Sequence, residues 1–161
     1  IIMSTKPVLQ VWHNPWHFLA FGHGSGAVPF APGTFGSMVG LVYYWLLFGC
    51  GWFIYALFVV IGGLWGIWLC DKVSRDLKVH DHGGIVWDEI IGILLTFLFV
   101  TPTTYRMLIG FLAFRLFDIW KPWPIKQVDK TVKGGLGIML DDVLAAIPAW
   151  LSLQLFIVIG G

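Results

Sequence analysis

Between Pro7 and Cys70 the chain contains no Lys, Arg, Asp or Glu. A water-soluble domain of 161 residues has too much surface and too small a core to hide a stretch of that kind. Composition extends the point to the whole chain, with 58% hydrophobic and 12% charged residues. We therefore expect an all-α integral membrane helical bundle forming one domain over residues 1–161. Residues 1–33 read as an interfacial N-terminal segment and glycine-rich loop. Residues 34–161 read as the bundle, with four to five spanning or partly spanning helices plus short interfacial ones. The net charge of +1 points to no partner class. Met3 to Ala20 is broken by Lys6, Asn14, Pro15 and two histidines, so a cleavable leader is not expected.

The charges that do occur are placed unevenly. Ile85-Val86-Trp87-Asp88-Glu89-Ile90-Ile91-Gly92 puts two adjacent acids at the head of an apolar run that reaches Val100. From Gly84 to Thr101 the segment is close to the roughly 20 residues a bilayer demands, but only about 11 apolar residues remain beyond the acids. Ionised groups at that depth are costly and point to function. Gly134-Gly135-Leu136-Gly137-Ile138-Met139-Leu140-Asp141-Asp142 leads into the last apolar run, Val143 to Ile159. Two acids again stand at its head, as ligands or as helix caps.

The remaining runs are Met38 to Phe48, gaining length from Thr34, Trp52 to Leu69, and Tyr105 to Ile119. Asn14 and Pro15 read as cap and first residue of a short helix. Ala31-Pro32-Gly33-Thr34-Phe35-Gly36-Ser37 opens the first long run, with Thr34 the expected N-cap. A glycine-rich loop feeding a helix N-terminus suits phosphate, and also arises in ordinary tight turns. Asp71/Arg75 and Lys72/Asp76 are spaced for i,i+4 pairs, and Arg115/Asp118 share a face. His80-Asp81-His82 suits capping or metal ligation. Lys126, Asp129, Lys130 and Lys133 form a basic amphipathic segment, solvated or facing headgroups. Cys50 and Cys70 lie at opposite ends of one expected span, so no disulfide is expected. Cys70 and Arg75 are too close, with no glycine between them, for a cysteine phosphatase loop.

With five spans, Lys6 and the loops 71–84 and 120–141 fall on one side and only Arg106 on the other. That asymmetry makes the polar side cytoplasmic, with the C-terminus outside. Asp88, Glu89, Asp118, Asp141 and Asp142 then share one depth, where they repel unless a cation joins them. Oxygen-only ligands favour Mg²⁺ or Mn²⁺. Adjacent acids point about 100° apart on an ideal helix, so each pair is expected to supply one ligand.

Asn14-Pro15-Trp16-His17, Gly24-Ser25-Gly26, the 31–37 segment, Ile85-Val86-Trp87-Asp88-Glu89, the run Phe114-Arg115-Leu116-Phe117-Asp118 continuing to Pro124, and Gly137-Ile138-Met139-Leu140-Asp141-Asp142 together resemble the phosphatidylglycerophosphatase A family. The resemblance implies a bacterial inner-membrane, multi-pass, Mg²⁺-dependent phosphatase with its site facing the cytoplasm. Its substrate would be a phospholipid, phosphatidylglycerophosphate; nucleic acid and an obligate protein partner are not implied. In this reading Glu89, Asp118, Asp141 and Asp142 hold the metal, and Asp88, Glu89 and Asp118 serve catalysis. Gly33, Thr34, Ser37, Arg115 and Lys121 hold the substrate phosphate. Asp88 is the candidate to take the water proton, and an aspartyl-phosphate route stays open.

Two rivals carry less. Gly137-x-x-x-Asp141 resembles part of the CDP-alcohol phosphotransferase signature, but the Asp-Gly-x-x-Ala-Arg portion is absent. A cation transporter would place its acids at mid-helix, whereas here they cluster at one end.

Overall fold

The structure is a computed structural model describing residues 11–160. Lys6, one of the charges in the sidedness argument, and residues 1–10 of the interfacial segment lie outside the described residues. Seven α-helices follow in order: α1 (Pro15–Ala20), α2 (Pro32–Phe48), α3 (Trp52–Leu77), α4 (Trp87–Thr96), α5 (Thr104–Trp120), α6 (Ile125–Thr131) and α7 (Gly134–Gly160). A 3₁₀ turn, Ser25–Ala27, lies between α1 and α2. The described residues hold no strand.

The bundle is built around α4. This helix has only 10 residues and almost all of them are buried, and α2, α3, α5 and α7 all pack on it. Close approach is made by missing side chains. Gly36 and Gly40 of α2 abut Val86 and Ile93, Gly66 of α3 abuts Trp87, and Gly92 of α4 abuts Phe114 of α5. Small residues are what membrane helices use to pack without a hydrophobic driving force. The outer faces are apolar instead. Phe53, Leu64 and Val158 are 80%, 67% and 83% exposed, in continuous faces that water would not tolerate. Helices α3 and α7 are long and apolar enough to cross a bilayer. At 17 residues each, α2 and α5 reach about 26 Å, the lower limit for a span.

The third apolar run is one of the partly spanning helices expected: α4 covers about 15 Å, half a bilayer core, and the chain turns back through residues 97–103. An end of that kind leaves carbonyls with no helical partner, which lipid cannot satisfy. Three surrounding helices supply the donors. The Tyr55 hydroxyl of α3 donates to Leu94 O at 2.6 Å, the Tyr44 hydroxyl of α2 to Val100 O at 2.8 Å, and Trp150 Nε1 of α7 to Leu98 O at 2.9 Å.

Two helix starts differ from expectation. Helix α2 begins at Pro32, with Ala31 in the left-handed region as cap, so Thr34 lies inside the first turn. Proline's fixed φ suits the first helical position and decides the register. Helix α7 begins at Gly134, about two turns before Asp141. Its free N–H groups are met from outside: Asp71 Oδ1 accepts from Gly135 N at 3.2 Å and His80 Nε2 from Gly134 N at 3.0 Å. The other local expectations hold. Asn14 caps α1, Asp71/Arg75 and Lys72/Asp76 form ion pairs, and both cysteines are free.

If the tyrosine donors complete the half-span, Tyr55→Phe leaves Leu94 O buried and unpaired. The expected cost is about 1–3 kcal/mol, read as a lower unfolding temperature in detergent. An unchanged transition would show that the carbonyl has another partner.

Candidate active site

Four elements bring the polar groups to one level. The first turn of α4 presents Asp88 and Glu89, the interior of α7 presents Asp142, the C-terminal part of α5 presents Arg115 and Asp118, and the start of α2 presents Gly33. Asp88, Glu89 and Asp142 each offer a carboxylate oxygen, and these oxygens lie within 4.8 Å of one another. Both acids of the 88–89 pair bring an oxygen to the group, although ideal helix geometry points adjacent side chains about 100° apart. In the first turn the longer Glu side chain reaches round to the side that Asp88 already faces. The 141–142 pair divides as expected: Asp142 enters the group, while Asp141 turns away to an ion pair with Lys121.

Such a cluster does not stand by itself. At an effective dielectric of about 20, two unit charges that close repel by roughly 3 kcal/mol. Asp88 Oδ1, Glu89 Oε2 and Asp142 Oδ2 are also buried without a hydrogen-bond partner, a costly condition for carboxylates. A cation or shared protons must answer it. The unpaired oxygens of an all-carboxylate set fit a hard divalent cation.

Cationic groups flank the cluster. Arg115 pairs with Asp118 through Nη1, while its Nε is buried and has no partner. Lys121 pairs with Asp141 and, at 3.3 Å, with Asp129. Burial alone favours neutral Lys121, but the hydrogen bond to Asp141 and the surrounding carboxylates outweigh it and hold its pKa above the ordinary lysine value. It therefore carries its charge at any physiological pH.

Gly33 sits between the two kinds of group. A Cβ there would lie 2.5 Å from Glu89 Oε1 and 3.2 Å from Arg115 Nη1, so only glycine lets the start of α2 pack directly against the acid and the guanidinium. Ser37 is placed otherwise: its hydroxyl is buried and donates to Gly33 O at 2.8 Å. Thr34 lies one residue beyond Gly33 in the first turn of α2. Gly24 and Gly26 serve packing, since Gly26 abuts the backbone of Gly84 and Gly24 the ring of Trp12.

His80 and His82 act on backbone, whereas His17 meets Asp76 and His23 meets Tyr43. His80 caps α7, and His82 Nδ1 accepts from Gly84 N at 3.1 Å. Burial, against a smaller pull from Asp81, keeps His82 below the usual histidine pKa, consistent with a neutral acceptor ring. Asp71 as a cap of α7 and Gly92 as the point where α4 meets α5 carried no signal in the sequence, because each depends on a distant contact.

The fold and these groups define a helical protein of membrane type, with a cluster of carboxylates beside an arginine and a lysine that are each paired to a neighbouring acid. Comparison with known proteins narrows that class. The family model for phosphatidylglycerophosphatase A matches residues 18–157. The chain is 44% identical over 135 residues to phosphatidylglycerophosphatase A of Escherichia coli K12, covering 83% of this chain and 78% of that protein. It is also 44% identical over 138 residues to the protein of that name from Haemophilus influenzae Rd, covering 84% and 85%. A putative phosphatidylinositol-3-phosphatase of Bacteroides thetaiotaomicron is 34% identical over 134 residues, covering 78% and 83%. No solved structure matches. The chain belongs to the phosphatidylglycerophosphatase A family.

Cap and cluster separate by experiment. Asp71→Ala removes a helix cap and is expected to cost about 0.5–2 kcal/mol. Asp142→Asn removes repulsion, so without divalent cation its unfolding temperature should match or exceed that of the unmodified chain. Added Mg²⁺ should raise the unfolding temperature of the unmodified chain by mass action and that of Asp142→Asn much less. Equal Mg²⁺ responses would rule out Asp142 as a ligand.

Proposed function

We propose that the chain hydrolyses the terminal phosphate monoester of phosphatidylglycerophosphate, releasing phosphatidylglycerol and inorganic phosphate. We place it in the bacterial inner membrane with the site facing the cytoplasm. The observation that carries this reading is the set of buried, unpaired carboxylate oxygens of Asp88, Glu89 and Asp142 together with the buried, unpaired Nε of Arg115, whose guanidinium and Glu89 both lie against Gly33. Family membership supplies the substrate.

Glu89 and Asp142 would hold Mg²⁺, with Asp88 beside them and Asp118 and Asp141 balancing the neighbouring cations. A divalent cation in such a position supplies positive charge toward phosphoryl oxygens. The protein's own groups do the rest. Arg115 keeps Nε for a phosphate oxygen while Asp118 fixes its guanidinium plane. Gly33, with no side chain, lets the start of α2 lie against Glu89 and the Arg115 guanidinium. Lys121, held by Asp141, adds positive field at the same level. Water adds its oxygen to phosphorus as the bond from phosphorus to the glycerol oxygen breaks. Asp88 takes a proton from the attacking water, and the departing oxygen leaves as a hydroxyl by regaining one.

Phosphate release from phosphatidylglycerophosphate in detergent micelles tests the reading, with phosphatidylinositol 3-phosphate as the competing headgroup. Glu89→Gln and Asp118→Asn should each lose activity by orders of magnitude while remaining folded. Their double mutant should fall little below the worse single mutant, because the groups act as a unit. Cys70→Ala should keep most activity. Multiplying losses, or activity only on the inositol lipid, would overturn the proposal.

A further inference from the structure

Helix α6 is not used by the chemistry above, and its charge is arranged in one direction. Lys126, Lys130 and Lys133 are exposed and enter no ion pair among the described residues. The one acid in the segment, Asp129, points inward to Lys121. Three of the chain's 10 basic residues thus project from one short stretch with nothing to balance them. Ile125 is buried and fixes the inner face, so the helix lies against α7 with its lysines outward.

The setting supplies the occupant. The segment joins the end of α5 to the start of α7, two helices that run through the membrane region, so it sits at the boundary. Beside it Ile119, Trp120 and Trp123 are 71%, 66% and 81% exposed, and Trp123 Nε1 donates to Gln127 Oε1 at 3.1 Å. Exposed tryptophans at a helix end mark headgroup depth. At that depth the groups facing the lysines are lipid phosphates, and basic side chains there gain about 1 kcal/mol each from anionic lipid. We infer that the outward face of α6, with Lys126 and Lys130, and Lys133 just beyond its end bind anionic phospholipid headgroups in the leaflet that borders the carboxylate cluster. Through Asp129 and Lys121 the same helix is tied to Asp141, so the lipid is gathered next to the site and against an element that touches it.

Binding is measured apart from catalysis by electron spin resonance. The full chain is reconstituted in phosphatidylcholine vesicles containing spin-labelled phosphatidylserine or spin-labelled phosphatidylcholine. Phosphatidylserine is anionic but carries no phosphate monoester, so it is not a substrate under the reading above. The unmodified chain should immobilise phosphatidylserine roughly fivefold more strongly than phosphatidylcholine. Molar salt, which shortens the screening length to about 3 Å, should remove most of the preference. Lys126→Gln/Lys130→Gln/Lys133→Gln should abolish it while keeping the unfolding temperature. If that variant is unstable, Lys130→Glu alone should weaken it. No preference in the unmodified chain overturns the inference. So does a preference that survives loss of the lysines, or one that disappears with Arg115→Gln instead, since that would place the lipid in the catalytic pocket.

Discussion

Mutual repulsion among buried carboxylates is the constraint on which this molecule turns. Asp88, Glu89 and Asp142 present oxygens within 4.8 Å of one another, in a bundle whose helix flanks expose mainly apolar side chains. Folding does not relieve that tension through the chain's own cations, because Arg115 and Lys121 are paired with Asp118 and Asp141. The protein holds an incomplete electrostatic arrangement that a hard cation and an anion together would complete. That a site should keep its acids unpaired while its cations are bound to different acids is hard to explain as stabilisation. It is easily explained as preparation for phosphate.

Helix α4 makes the arrangement possible. A full span starting at Asp88 would carry the chain out of the far side of the membrane. A half-span lets α4 reverse inside the protein and frees α5 to return its C-terminal end to the level of the acids. The reversal requires polar partners for the end of α4, and Tyr44, Tyr55 and Trp150 provide them from three helices. Glycines let those helices come near enough. The aromatic donors and glycines far from the chemistry are thus part of what sets the distance between Glu89, Arg115 and Asp142.

Much of this was legible in the residues themselves. The uncharged stretch from Pro7 to Cys70 defined a membrane bundle, and the placement of acids beside Arg115 and Lys121 pointed to one level where these groups meet. Three features were not legible, each for a physical reason. The shortness of the third run allowed a half-span, but hydropathy alone left a full span open as well, because a helix buried in protein is as apolar as one in lipid. The start of α7 was hidden because its caps, Asp71 and His80, lie more than fifty residues away in sequence. The convergence of both Asp88 and Glu89 does not follow from ideal helix angles, which ignore side-chain length in a first turn. The sharing-out of the other acids between Arg115 and Lys121 likewise required tertiary contacts.

The central claim is that cation and phosphate meet at one place made by Glu89, Asp142 and Arg115. Mn²⁺ can stand in for Mg²⁺ and broaden the ³¹P resonance of inorganic phosphate bound near it. With the unmodified chain in detergent, Mn²⁺ should broaden phosphate well beyond its effect in free solution. Asp142→Asn should lose the effect through weaker Mn²⁺ binding. Arg115→Gln should bind Mn²⁺ normally, shown by its own spin resonance, yet lose the broadening. Mn²⁺ and phosphate binding that are each retained in both variants, or bound Mn²⁺ that leaves phosphate unbroadened, would contradict a shared site.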